Sequence, residues 1–135
     1  QELSRRGRSV ETVETGLIPS QAKIDEAVAS AGRADLIVVL VNRVWTSNPQ
    51  KALVRALQGT NKPVVVVSVR EPYDIAHLPD VSTYVATYGY RPVSMKALAR
   101  VLLGEVNPSG RLPVAIPDSG TASGVLFPVG HGLSY

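Results

Sequence analysis

The sequence predicts an α/β fold: a three-layer αβα sandwich, flavodoxin-like, around a mainly parallel sheet. Three observations predict it. Two short apolar runs rich in β-branched residues, Leu36–Val41 and Val64–Val69, do not alternate with polar residues, so both faces of each strand are covered, as in a parallel sheet between helices. Segments with helical periodicity separate the runs. Turn signals punctuate every junction, and crossovers of this kind are right-handed, placing helices on the sheet faces.

The elements follow in order. Gln1–Arg6 reads as the last turn of a helix stopped by Gly7. A chain that opens in this way is expected to be an N-terminally truncated piece of something longer. Val10–Thr15 is a candidate strand. Ile24, Ala27, Val28 and Ala31 recur at the spacing of one apolar helix stripe, with Ser20 as cap and Gly32 as terminator. The Leu36–Val41 strand follows. Asn48 is the expected cap of the next helix, with Pro49 at its first position, where a missing N–H costs nothing. Leu53, Ala56 and Leu57 face inward, and Gly59 closes that helix. After Val64–Val69 comes a shorter, more polar strand, Thr83–Tyr88, nearer an edge. Met95, Leu98, Ala99 and Leu102 form a third stripe ending before Gly104. A glycine just past each helix is expected to supply a left-handed terminating residue. Pro108, Pro113, Pro117 and Pro128 interrupt the remainder, so residues 105–135 are expected to run as an extended tail of the same domain.

Composition bounds the function. In 135 residues, 44% are hydrophobic and 19% charged, with a net charge of +3; this supports a single domain with its own core. There is no cysteine, which excludes disulfides, thiolate metal sites and a thiol nucleophile. One Trp, one Phe and five Tyr do not interleave with the basic residues, so nucleic acid is not an expected partner. No apolar run approaches the 18 residues of a membrane span. His77 and His131 have no neighbour at metal-ligand spacing, and no Walker-type or dinucleotide-binding glycine loop is present. Neither a metal nor a cofactor is expected.

In an open α/β sheet, ligands bind beyond the carboxyl ends of the strands. Three segments should meet there: Asn42–Trp45, Arg70–Asp74 and Gly89–Arg91. They gather Trp45, Arg70, Glu71, Tyr73, Asp74, Tyr90 and Arg91, the candidate residues for a substrate rim or a domain interface. Trp45 either stacks on a sugar face or anchors an interface, where large aromatics are enriched. Glu71 and Asp74 are the carboxylates of this rim. A two-carboxylate glycosidase needs a nucleophile and an acid at a set separation; two acids this close, beside Arg70, read instead as ion-pair partners, with Arg70 bonded to Asp74. No residue of this chain is assigned a catalytic role.

Leu103-Gly104-Glu105-Val106-Asn107-Pro108-Ser109-Gly110-Arg111-Leu112-Pro113-Val114-Ala115-Ile116-Pro117, followed by Phe127-Pro128-Val129-Gly130-His131-Gly132-Leu133-Ser134-Tyr135, closely resembles the end of glycoside hydrolase family 3. Arg70–Ile75 and Thr87–Pro92 resemble its β-N-acetylhexosaminidase branch. The resemblance spans residues 9–135. It implies a (β/α)₈ barrel ahead of this domain that carries the nucleophile, a carbohydrate substrate at the interface between the two, retaining hydrolysis, and a secreted or cell-surface bacterial protein. It also places the domain's first strand ahead of this chain. β-Glucosidase members draw an acid/base glutamate from a loop of this domain, but Asn42–Lys51, the matching loop, contains no Glu. The N-acetylglucosaminidase branch, with a His–Asp pair on the barrel, fits that absence. The isolated chain is then expected to be inactive. A stand-alone flavodoxin-like binding or assembly module is the other reading. The tail has a physical logic of its own: Asn107-Pro108 starts a turn, Gly110 is expected in a conformation other residues resist, and the prolines stiffen the strap.

Overall fold

A computed structural model describes all 135 residues. Its elements are α1 (Glu2–Arg5), α2 (Gln21–Ala31), β1 (Ile37–Val41), α3 (Asn48–Gln58), β2 (Val64–Ser68), β3 (Tyr84–Ala86), α4 (Pro92–Leu102), β4 (Ile116–Pro117) and β5 (Val125–Phe127). The three central strands form a parallel sheet in the order β1-β2-β3, with Ile37 beside Val64 and Val66 beside Tyr84.

Alternation along the strands divides the core between two faces. Ile37, Val39 and Val41 of β1 and Val66 of β2 pack with Ile24, Ala27 and Ala31 of α2 and with Leu53, Val54 and Leu57 of α3. On the other face Val65, Val67 and Val69 meet Leu98 of α4, flanked by Val38, Val85, Met95 and Leu102. The helix stripes thus fall where their spacing put them. Leu102 is only half-buried, at the margin of this cluster.

Several local expectations are corrected. Val10–Thr15 forms no strand; it runs as irregular chain beyond the free edge of β1, with Val13 packed on the core and Glu11 paired to Arg33. β1 is not covered on both faces, for Leu36 and Leu40 are 48% and 50% exposed. Ser47, not Asn48, caps α3, its Oγ accepting from the Gln50 N–H. Gly32 and Gly59 are right-handed, because both helices close through ordinary main-chain bonds to the preceding turn. Gly7 and Gly104 do take left-handed angles after their helices, with φ of 78° and 70°.

The tail is not merely extended. β4 and β5 pair antiparallel and bring Ile116, Leu112 and Phe127 onto Ile75 and Ala76. Gly110 has no positive φ; its carbonyl instead occupies the space a Cβ on Gly132 would need. Tyr135 closes the fold, its N–H on Asn107 Oδ1 at 2.8 Å and its hydroxyl on the Val101 carbonyl. No helix is long and apolar enough to cross a membrane.

Candidate functional site

The three strands end together, at Val41, Ser68 and Ala86, so the loops that follow them share one edge, as a parallel sheet requires. The turn after β1 is a 3-10 segment, Val44–Thr46, entered through Arg43 in a left-handed conformation with φ 54° and ψ 52°. A non-glycine residue there needs support from its surroundings. The support comes from the loop after β2, a second 3-10 segment over Pro72–His77.

Asp74 is the link. It is fully buried, and its Oδ1 accepts the main-chain N–H of Val44 at 2.7 Å while its Oδ2 accepts the Ser68 hydroxyl at 2.8 Å. Burial pushes its carboxyl above the usual range, against the pull of these two hydrogen bonds; the charge of Glu71 adds to the rise. Arg70 is exposed and forms no ion pair, so the expected Arg70–Asp74 pair does not exist: the 3-10 turn points Asp74 inward. Tyr84, from β3, donates to the Pro72 carbonyl at 3.1 Å, and burial raises its phenol as well.

Above this buried anchor sits a surface cluster. Trp45, 44% exposed, donates its indole N–H to Glu71 Oε1 at 3.1 Å. The Arg43 guanidinium lies 4.9 Å from the Trp45 ring centroid, a cation–π distance, and its Nε stands 3.4 Å from the same Glu71 oxygen. Ring, cation and carboxylate fix one another, leaving part of the indole open to solvent. Tyr73 is half-buried against the tail cluster of Ile75, Ala76 and Ile116.

Tyr90 and Arg91 lie on the third loop and are exposed. Tyr90 does not join the tryptophan cluster; it borders a separate hollow of about 330 Å³ with Leu17, Asn42, Gln50 and Val69. Arg91 caps α4 without a side-chain bond. The seven candidates therefore divide into Trp45 with Glu71 at the surface, Asp74 beneath, Tyr73 in the tail contact, Tyr90 across the strand ends, and Arg70 and Arg91 unpaired.

Three contributors escaped the sequence reading. Arg43 is the left-handed pivot of the turn. Ser68 is the polar end of a valine run, and a lone hydroxyl at the end of a buried strand is a signal that something polar packs on it. Gln50, buried on α3, bonds both main-chain groups of Asn42, at 2.9 and 3.0 Å, and the Leu17 carbonyl at 3.1 Å.

Comparison with known proteins adds the family. The glycosyl hydrolase family 3 C-terminal domain matches residues 1–135. A lysosomal beta glucosidase of Dictyostelium discoideum is 32% identical over 90% of this chain and 18% of its own length. A periplasmic beta-glucosidase of Salmonella typhimurium is 28% identical over 85% of the chain and 21% of its own. The chain thus spans about a fifth of these curated relatives. A glycoside hydrolase family 3 beta-N-acetylglucosaminidase from Paenibacillus superposes with a TM-score of 0.80 at 32% identity, covering 90% of this chain and 23% of that one.

Proposed function

The chain belongs to the glycosyl hydrolase family 3 C-terminal domain family, and from that premise we propose that it is the scaffold and active-site rim of a retaining β-N-acetylhexosaminidase whose reacting groups lie on an attached (β/α)₈ barrel. The barrel packs on the loop edge described above, and the carbohydrate binds where the two meet. The protein works in a secreted or cell-surface location, in keeping with the periplasmic and lysosomal names of its relatives.

The observation that carries this reading is the state of the two rim carboxylates. Retaining hydrolysis needs a nucleophile and an acid/base group, both reaching the glycosidic bond. Asp74 is sealed from solvent, and a Glu71 oxygen is engaged by Trp45 and Arg43. The loop from Asn42 to Lys51 has no glutamate to offer. What this edge does offer is an aromatic ring held rigidly by a cation and a carboxylate, the kind of partly exposed anchor that interfaces and sugar subsites use. Arg70 and Arg91, exposed and unpaired, and Tyr90 across the strand ends lie on the same edge, while Tyr73 stays in the tail contact.

The test is direct. The purified 135-residue chain is expected to leave an aryl N-acetyl-β-glucosaminide and an aryl β-glucoside intact. In a full-length enzyme carrying this domain, Trp45→Ala is expected to raise KM or loosen the domain contact, and Glu71→Gln to leave the pH profile of turnover in place. Turnover by the isolated chain, or loss of an ionisation from that profile in Glu71→Gln, would overturn the proposal.

A further inference from the structure

Three non-glycine residues have a left-handed backbone: Arg43, Asn61 and Tyr88, with φ of 54°, 58° and 54°. Asn61 sits in the turn before β2, at the opposite end of the sheet, and asparagine tolerates that conformation; arginine and tyrosine adopt it only at a cost. Both of these lie just past the strand ends, on the loops after β1 and β3. At Tyr88 a glycine follows directly, yet Gly89 has no positive φ and the tyrosine carries the turn. The turn is braced from the central strand. The Ser68 carbonyl accepts the Thr87 main-chain N–H at 3.0 Å and lies 3.2 Å from the Thr87 hydroxyl. The same hydroxyl is 2.8 Å from the Gly89 carbonyl, so the chain is pinned on either side of Tyr88. Its ring is nonetheless 49% exposed. Partial burial raises its phenol, and the Tyr73 phenol adds to the rise. A core residue would offset such strain by burial; a half-exposed ring offsets it by what it meets outside.

We propose that Tyr88 is a substrate-contacting residue, its ring forming with Trp45 a pair of sugar-binding platforms that favours an oligosaccharide over a single sugar. This deepens the carbohydrate-rim reading above and rests on it. The spacing carries the chain-length argument. Trp45 follows β1 and Tyr88 follows β3, on either side of β2, so their loops spring from strands about 10 Å apart. One pyranose ring cannot cover both platforms, whereas two or more linked sugars can. Ser68, at the end of β2 and fully buried, holds the two together. Its hydroxyl, 2.8 Å from Asp74 Oδ2, supports the carboxyl group that accepts the Val44 N–H and so fixes the turn at Arg43. Its carbonyl fixes Thr87 and so the turn at Tyr88. Rings held in place before the sugar arrives lose little freedom on binding it. Ser68 is thus the positioning residue for both.

The experiment uses a full-length enzyme carrying this domain, with an aryl N-acetyl-β-glucosaminide and the β-linked trisaccharide of N-acetylglucosamine as substrates. Tyr88→Ala and Trp45→Ala are each expected to raise KM for the trisaccharide by about fivefold or more, the size of one lost ring contact, with kcat unchanged. The monosaccharide glycoside spans one platform, so it is expected to respond to only one of the two variants. Tyr88→Phe, which keeps the ring, is expected to keep the parent KM. Tyr88→Gly suits the left-handed turn and is expected to share the KM of Tyr88→Ala at equal or higher stability; it serves should Tyr88→Ala not fold. Asn61→Gly relieves the third left-handed turn and is expected to leave KM alone. An unchanged trisaccharide KM in the folded Tyr88→Ala or Tyr88→Gly enzyme would overturn the proposal. So would equal losses for both substrates in both variants, the mark of a loosened domain contact. A parent enzyme that cleaves β-glucosides instead overturns the hexosaminidase reading alone, and the trisaccharide of glucose then serves as the probe for Tyr88.

Discussion

Asp74, on the turn after β2, accepts the main-chain N–H of Val44, on the turn after β1, across 2.7 Å. The two residues are 30 apart in sequence, and both are sealed from solvent. Through this bond one loop holds the other in the left-handed turn at Arg43, and so sets where Trp45 stands. Removing the acceptor leaves a buried donor unpaired, which costs about 1–3 kcal/mol. Asp74→Ala is therefore expected to lose at least that much in urea unfolding, whereas Asp74→Asn, which keeps an acceptor, loses less. Equal losses would mean that packing, not the hydrogen bond, makes the link.

The same group has a pH signature. Burial raises the Asp74 carboxyl above its ordinary value, so the folded chain holds the proton to higher pH than the unfolded chain does. Its contribution to stability is then fully present below the ordinary carboxylate range and is lost as pH rises through the raised pKa. Unfolding free energies measured from acid to neutral pH should show this decline in the parent chain. Asp74→Asn should flatten it.

Trp45 is the only tryptophan, so its fluorescence reports the surface cluster alone. Glu71→Ala removes the indole's acceptor and the partner of Arg43. Stability is expected to change by only about 0–1 kcal/mol, as for exposed charge pairs. The emission should shift to the red and its anisotropy fall as the ring is freed. An unchanged spectrum would show that Arg43 alone positions the ring.

The α4 face ranks two leucines. Leu98 is 7% exposed within its cluster, and Leu98→Ala is expected to cost about 2–5 kcal/mol. Leu102 packs at the margin, so Leu102→Ala should cost clearly less. Denaturant midpoints at unchanged slope measure both; the reverse order would mean the helix is rotated on the sheet.

In the tail, a methyl on Gly132 would meet the Gly110 carbonyl and the Arg111 side chain. Gly132→Ala is expected to cost about 1–3 kcal/mol by overpacking, while Gly130→Ala, with open space but φ of 82°, costs backbone strain alone. Thermal melts of the two variants, followed through the Phe127–His131 ring contact at 4.7 Å, separate collision from strain.

Periodicity alone located the three long helices and the two valine-rich strands, because a helix stripe and an unbroken branched run are properties of neighbouring residues. The same locality set the limits of that reading. Asn48 was the better cap by residue type, but Ser47 is the residue whose hydroxyl meets the Gln50 N–H. Arg70 beside Asp74 reads as an ion pair, yet Arg70 is exposed ahead of the 3-10 turn, whereas the turn carries Asp74 inward. Val10–Thr15 has strand-like residues yet forms no ladder with β1.

By itself, then, the order of residues determined the α/β class, the stripes that make the core, and the family signature of the tail. Tertiary structure alone decided that Asp74 is an internal anchor, that Arg43 turns left-handed to brace Trp45, and that residues 116–127 pair into a second sheet. The division has one physical cause. Propensity and periodicity are written in adjacent residues, whereas burial, hydrogen-bond partnership and strand pairing depend on which distant segments arrive at the same place.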